Sequence, residues 1–78
     1  MKMEADERKK LIRQAAMKVF LDKGFRNTVM NDIMEATGLS RGGLYHHYGS
    51  TYEILYDIMV EGNKYREKII YDEMNKTS

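Results

Sequence analysis

Apolar residues recur at helical spacing along most of this chain. Ile12, Ala15, Ala16, Val19 and Phe20 fall at i, i+3, i+4, i+7 and i+8, which is one face of an amphipathic helix running from about Asp6 to Lys23. Lys23 suits the negative end of that helix. Gly24 can take the left-handed position after it, and Phe25 can fold back as the apolar residue beyond. The polar residues 1–7 are expected to fray.

Thr28 is a suitable N-cap for a short second helix with Val29, Ile33 and Ala36 turned inward and Asp32 near its positive end. Gly38 ends it. Ser40 then caps a third helix whose first three positions are Arg41, Gly42 and Gly43, with Leu39 and Leu44 placed as a hydrophobic staple. Leu44 and Tyr48, four apart, belong to the core. "STYE", Ser50 to Glu53, has the form of a capping box and opens a fourth helix with Ile54, Leu55, Ile58 and Met59 inside. Gly62 allows a break or a bend, after which Tyr65, Ile69, Ile70 and Met74 continue the spacing. The pattern predicts an all-α fold: a three-helix, homeodomain-like helix-turn-helix bundle followed by a longer fourth helix.

Composition narrows the class. The 78 residues allow one domain, and with no cysteine there is neither a disulfide framework nor a thiolate metal site. No apolar run approaches a membrane span, and "MKMEADERKK" lacks the apolar segment of a signal peptide, so a soluble cytoplasmic domain is expected. The net charge of +1 is unevenly spread: residues 1–48 carry nine Lys/Arg against six Asp/Glu, and residues 49–78 four against six. An excess this small favours a polyanionic partner only weakly.

The stretch "GLSRGGLYHHYGS" carries the chemistry. In a helix-turn-helix the second helix of the unit can enter the DNA major groove. Glycine costs a helix about 1 kcal/mol relative to alanine, so Gly42 and Gly43 need a reason. They remove side chains from the leading turn, which could then lie against a phosphate or a base edge with its N–H groups forward.

"TVMNDIMEATGLSRGGLYHHYGSTYEIL" resembles the DNA-binding domain of the TetR family of bacterial transcriptional regulators. Thr28, Ile33, Gly38, Leu39, Ser40, Gly42, Leu44, Tyr45, His47, Tyr48 and Ser50 match that family's pattern in order and spacing, over about Leu11 to Met59. The resemblance implies sequence-specific binding to double-stranded DNA, usually for repression, by a homodimer on a palindromic operator with the segment Ser40–Tyr48 in the major groove. It implies that Thr28 holds a phosphate, that Asn31 can reach a base or phosphate, and that Tyr45 and His47 meet the backbone. His46 falls at a variable, base-proximal position. Arg41 is the best candidate for base readout, because a guanidinium can pair bidentately with guanine. Ser40, Gly42, Gly43, Ser50 and Thr51 complete the candidate interface.

Three residues depart from the family pattern. Gly43 stands where a hydroxyl or alanine is usual, and Thr51 where lysine is common, each removing a phosphate contact. Met34 stands where a small residue is usual at the helix crossing, so it must repack or turn outward. These departures motivate the alternative of a helical protein-interaction module using its tyrosine-rich fourth helix. Tyr52 and Tyr56, four apart, are read there as partly buried packing in preference to a partner-facing stripe. The "RKK" run at Arg8–Lys10 is read first as a solvated helix end, with a phosphate contact as the lesser alternative. His46 and His47 lack the i, i+3 or i, i+4 spacing of helical metal ligands, and no acid pair or activated nucleophile supports catalysis. Neither an enzyme, a metal nor a cofactor is expected.

The resemblance divides the chain into a DNA-binding domain, 1–62, and a helical tail, 63–78, as the stub of a C-terminal domain that would bind a small-molecule effector and form the dimer.

Overall fold

The computed structural model describes residues 5–62, and among them every regular element is helical. Helix α1 spans Ala5–Lys23, a 3-10 turn covers Phe25–Asn27, α2 spans Met30–Thr37, α3 spans Arg41–Tyr45, and α4 begins at 51 and continues to 62. This is the expected helix-turn-helix bundle with a longer fourth helix. The tail residues Tyr65, Ile69, Ile70 and Met74 lie outside the described residues.

The core is built from all four helices. Ile12, Ala16 and Phe20 of α1, Ile33 of α2, Leu44 of α3, Tyr48 just beyond α3 and Ile54 of α4 are buried together. Val19, Phe25, Met30, Met34, Leu39, Leu55 and Ile58 pack around them. The α1 face is the one its sequence spacing predicts. Phe25 folds back as expected, its ring meeting Phe20 edge to face at 5.1 Å. Gly24 has a positive φ of 85°, but its ψ of 143° leads the chain into the 3-10 turn at Phe25–Asn27 instead of the left-handed helical cap.

The start of α2 differs from expectation. Thr28 is not the N-cap: it is buried, its hydroxyl donates to the Gly24 carbonyl (2.8 Å) and its N–H to the Phe25 carbonyl (3.1 Å). Val29 occupies the cap position. Having no side-chain acceptor, it relies on the Asp32 carboxylate, which accepts the Val29 N–H at 2.9 Å and binds Lys23 Nζ at 3.0 Å. With that later start the inward stripe is Met30, Ile33, Met34 and Thr37, spaced i, i+3, i+4 and i+7, with Ile33 buried and the other three half-buried. Val29 and Ala36 are exposed, not inward. Met34 turns inward and packs, half-buried, against the core.

The turn between α2 and α3 is closed by two local devices. Gly38 adopts φ 76° and ψ 5°, the left-handed conformation that costs glycine nothing, and its N–H reaches the Met34 carbonyl at 2.8 Å. The Thr37 hydroxyl donates to the Ile33 carbonyl (2.8 Å) and accepts the Leu39 N–H (3.2 Å). Gly38→Ala is expected to destabilise the domain by about 1 kcal/mol, since a Cβ resists this backbone conformation although there is open space around it. A urea unfolding midpoint unchanged from the parent would contradict that account.

Ser50 caps α4 by accepting the Glu53 N–H at 3.3 Å, while the Glu53 carboxylate takes the Gly49 N–H at 3.1 Å, one residue outside the ordinary capping box. The expected packing of the α4 tyrosines does not occur. Tyr52 is 73% exposed and Tyr56 70% exposed, and Met59 is exposed as well. Ile54, Leu55 and Ile58 already fill the side of α4 that meets the bundle. Tyr52 retains an edge contact with Phe25 at 5.1 Å between ring centroids.

Candidate nucleic-acid interface

Helix α3 is short and two-sided. Its inner side is fixed by Leu44, fully buried, and the chain leaving it is fixed by Tyr48. Its outer side presents Ser40, Arg41, Gly42, Tyr45 and His46, all exposed. The expected helix to Tyr48 is cut to Arg41–Tyr45, because the following N–H groups tighten: His46 donates to Gly42, while His47 and Tyr48 both donate to the Leu44 carbonyl.

The two glycines have different physical explanations. A Cβ on Gly43 would lie 3.2 Å from Ser40 Oγ, and that oxygen caps the helix by accepting the Gly43 N–H at 3.1 Å. Gly43 is therefore accounted for inside the protein, and its N–H is engaged. A Cβ on Gly42 would meet nothing within 4 Å. Packing among the described residues does not require that glycine.

Arg41 lies beside Gly42 with its guanidinium 4.9 Å from the centroid of the Tyr45 ring. His46 and His47 meet edge to face at 5.0 Å. His47 sits below the usual imidazole range, first because it is partly desolvated, then because His46, Arg8 and Lys9 are near. Arg8 and Lys9 thus bring positive charge from the start of α1 to the far end of α3, and Lys9 Nζ lies 5.4 Å from the Tyr48 ring centroid. Sequence spacing gave no sign of this meeting between α1 and α3.

Tyr48 is the structural pivot of the region. Its hydroxyl donates to Asp57 Oδ2 on α4, and Arg13 of α1 donates to the same oxygen at 3.2 Å. One carboxylate on α4 therefore ties α1 to the end of the α3 segment. Burial and the adjacent carboxylate push the Tyr48 phenol up to about 12, and the Tyr48 hydrogen bond together with Arg13 holds Asp57 below the usual carboxylate range.

The family model for bacterial regulatory proteins of the tetR family matches residues 12–58, more than half of the chain. The chain belongs to that family.

Among tetR-type relatives, the chain is 43% identical to the HTH-type transcriptional regulator YfiR of Bacillus subtilis, with 78% of this chain and 30% of that protein covered. It is 38% identical to the HTH-type transcriptional repressor KstR2 of Rhodococcus jostii, covering 67% and 28%. To the HTH-type transcriptional regulator TtgR of Pseudomonas putida it is 35% identical, covering 69% and 26%. The chain thus spans under a third of the length of these relatives.

Of the residues that the tetR resemblance singles out, Arg41, Gly42, Tyr45 and His46 share the open side of α3. His47 lines a cleft together with Lys9, and Ser50 and Thr51 open α4 in half-buried positions. Asn31 is exposed on α2, its amide donating to Glu35 at 3.2 Å. Thr28 is buried, with its hydroxyl and N–H both donating within the protein. Sequence reasoning missed Asp57, and it read Arg8 and Lys9 first as part of a solvated helix end. Among the described residues, no three metal-ligating side chains come together, and no helix is long and apolar enough to cross a membrane.

Proposed function

We propose that this tetR-family chain is the DNA-binding part of a transcriptional regulator that recognises a specific duplex sequence with α3 in the major groove. The observation that carries it is the outer side of α3: an arginine facing outward, a glycine with no internal cause beside it, and a tyrosine four residues on, all held by a buried Leu44. Arg41 would read a base, Tyr45 and the leading turn would meet phosphates, and Arg8, Lys9 and Lys10 would add charge from α1. Ser50, Thr51 and Asn31 are flanking candidates. The full-length protein would act as a homodimer on a palindromic operator, most simply as a repressor that occupies a promoter, in the bacterial cytoplasm where the chromosome lies. A small-molecule effector would bind a C-terminal domain outside these 78 residues.

Titration of labelled duplexes at several salt concentrations tests this. With about three phosphates neutralised, the logarithm of the binding constant should fall with a slope of about −3 against the logarithm of salt. Arg41→Ala should weaken binding to the preferred sequence by roughly tenfold or more and flatten its preference. Binding indifferent to both salt and Arg41 would rule the reading out. It would favour instead a protein-interaction module, for which the exposure of Tyr52, Tyr56 and Met59 on α4 is the supporting observation.

A further inference from the structure

We propose that the ring of Tyr45 is a platform that aims Arg41 at a guanine, an inference that rests on the reading of α3 as the DNA-contacting helix. The two residues are one helical turn apart, the spacing at which side chains meet. The guanidinium lies 4.9 Å from the ring centroid rather than against a carboxylate. The difference matters for recognition. A carboxylate would occupy the edge of the guanidinium, where its N–H groups point, whereas an aromatic ring engages the face.

The edge therefore stays available for the two side-by-side acceptors, O6 and N7, that guanine alone presents in the major groove. Adenine replaces one of those acceptors with a donor, which opposes the guanidinium. The platform itself is well founded: Tyr45 follows Leu44, which is fully buried, and Tyr45 as a whole is 37% exposed. Gly42 places no side chain next to Arg41, and the space around it is open. A long side chain held in one direction before binding loses less freedom on binding, which favours the base that matches that direction.

Tyr45 thus acts in two separable ways, through its hydroxyl on a phosphate and through its ring on Arg41. The experiment enriches duplexes from a randomised pool with the whole 78-residue chain. It then substitutes 7-deazaguanine, which lacks N7, at each guanine of the enriched sequence to find the one that Arg41 reads. Tyr45→Phe should weaken all duplexes alike and keep the preference for that guanine over adenine. Tyr45→Leu should reduce the preference about two- to fivefold. Arg41→Ala should abolish it, and all three variants should melt with the parent.

In the absence of DNA, the Arg41 side-chain protons should show an upfield ring-current shift that Tyr45→Phe keeps and Tyr45→Leu loses. No enriched duplex and no salt-dependent binding would defeat the DNA reading and the platform with it. An enriched guanine that survives Tyr45→Leu, or that survives Arg41→Ala, would overturn the platform alone, as would the absence of the ring-current shift.

Discussion

Leu44→Ala is expected to remove roughly half of the domain's stability. Leu44 is fully buried where α3 meets the other helices, with Ile12, Ile33 and Ile54 equally buried around it. Truncating a leucine at such a site removes its transfer free energy and leaves a cavity, together costing about 2–5 kcal/mol. A domain of about 60 residues has only roughly 3–9 kcal/mol to lose.

The neighbours of Leu44 give little means of closing the gap. Three of them are β-branched isoleucines, and α3, at five residues, has no second fully buried side chain to hold it in place. Leu21→Ala is the matched control: Leu21 is 80% exposed on α1, and its loss should change stability by no more than about 0.5 kcal/mol. Urea unfolding followed by circular dichroism measures both. Similar midpoints for the two variants would mean that α3 is not anchored through Leu44.

The contrast between those leucines also shows what spacing reveals and what it hides. The inner face of α1 was legible because aliphatic residues repeat along it and Phe20 closes the stripe. Leu44 and Tyr48 were legible for the same reason, as were the Ser40 and Ser50 caps, whose hydroxyls leave a local signature. The inner face of α2 was displaced because its stripe contains two methionines and a threonine. The stronger apolar marks, Val29 and Ala36, lie on the exposed side. Thr28 had the chemistry of a cap but was drawn into the Gly24 turn, which only the three-dimensional path of the chain dictates.

On α4 the aliphatic residues alone filled the contact with the bundle, so Tyr52 and Tyr56 were left outside. Of the candidate interface, Arg41, Gly42, Tyr45 and His46 were legible as a local motif on one short helix. The approach of Arg8 and Lys9 to His47 was not, because it depends on how α1 crosses the end of α3. Gly43 was assigned to an outside contact but answers first to Ser40 Oγ. The Arg13–Asp57 contact joins residues 44 positions apart, beyond the reach of any spacing rule.

That contact leads to the second large effect. Asp57→Ala is expected to destabilise the domain by about 2–3 kcal/mol, because two donors, the Tyr48 hydroxyl and the Arg13 guanidinium, converge on one Asp57 oxygen. The Arg13 and Asp57 side chains keep only 19% and 26% of their exposure, so water compensates poorly when the carboxylate is removed. Asp57→Asn, which keeps an acceptor but not the charge, should cost less than Asp57→Ala.

The same network fixes the pH dependence, with opposite signs at its two ends. Asp57 is held below the ordinary value of 3.8, so its contribution is present above that pH and is lost as the pH falls through the depressed folded value. Tyr48 is raised from 10.0 to about 12, so its contribution is complete below pH 10 and is lost as the pH rises toward 12. In an ultraviolet tyrosinate titration Tyr48 should ionise late, and Tyr48→Phe should remove that late step. In Asp57→Asn the late step should move to lower pH, since the neighbouring negative charge is gone. A titration in which Asp57→Asn leaves every tyrosine unchanged would break the link from α4 to the end of α3. It would leave Leu44 as the main anchor of the helix proposed to meet DNA.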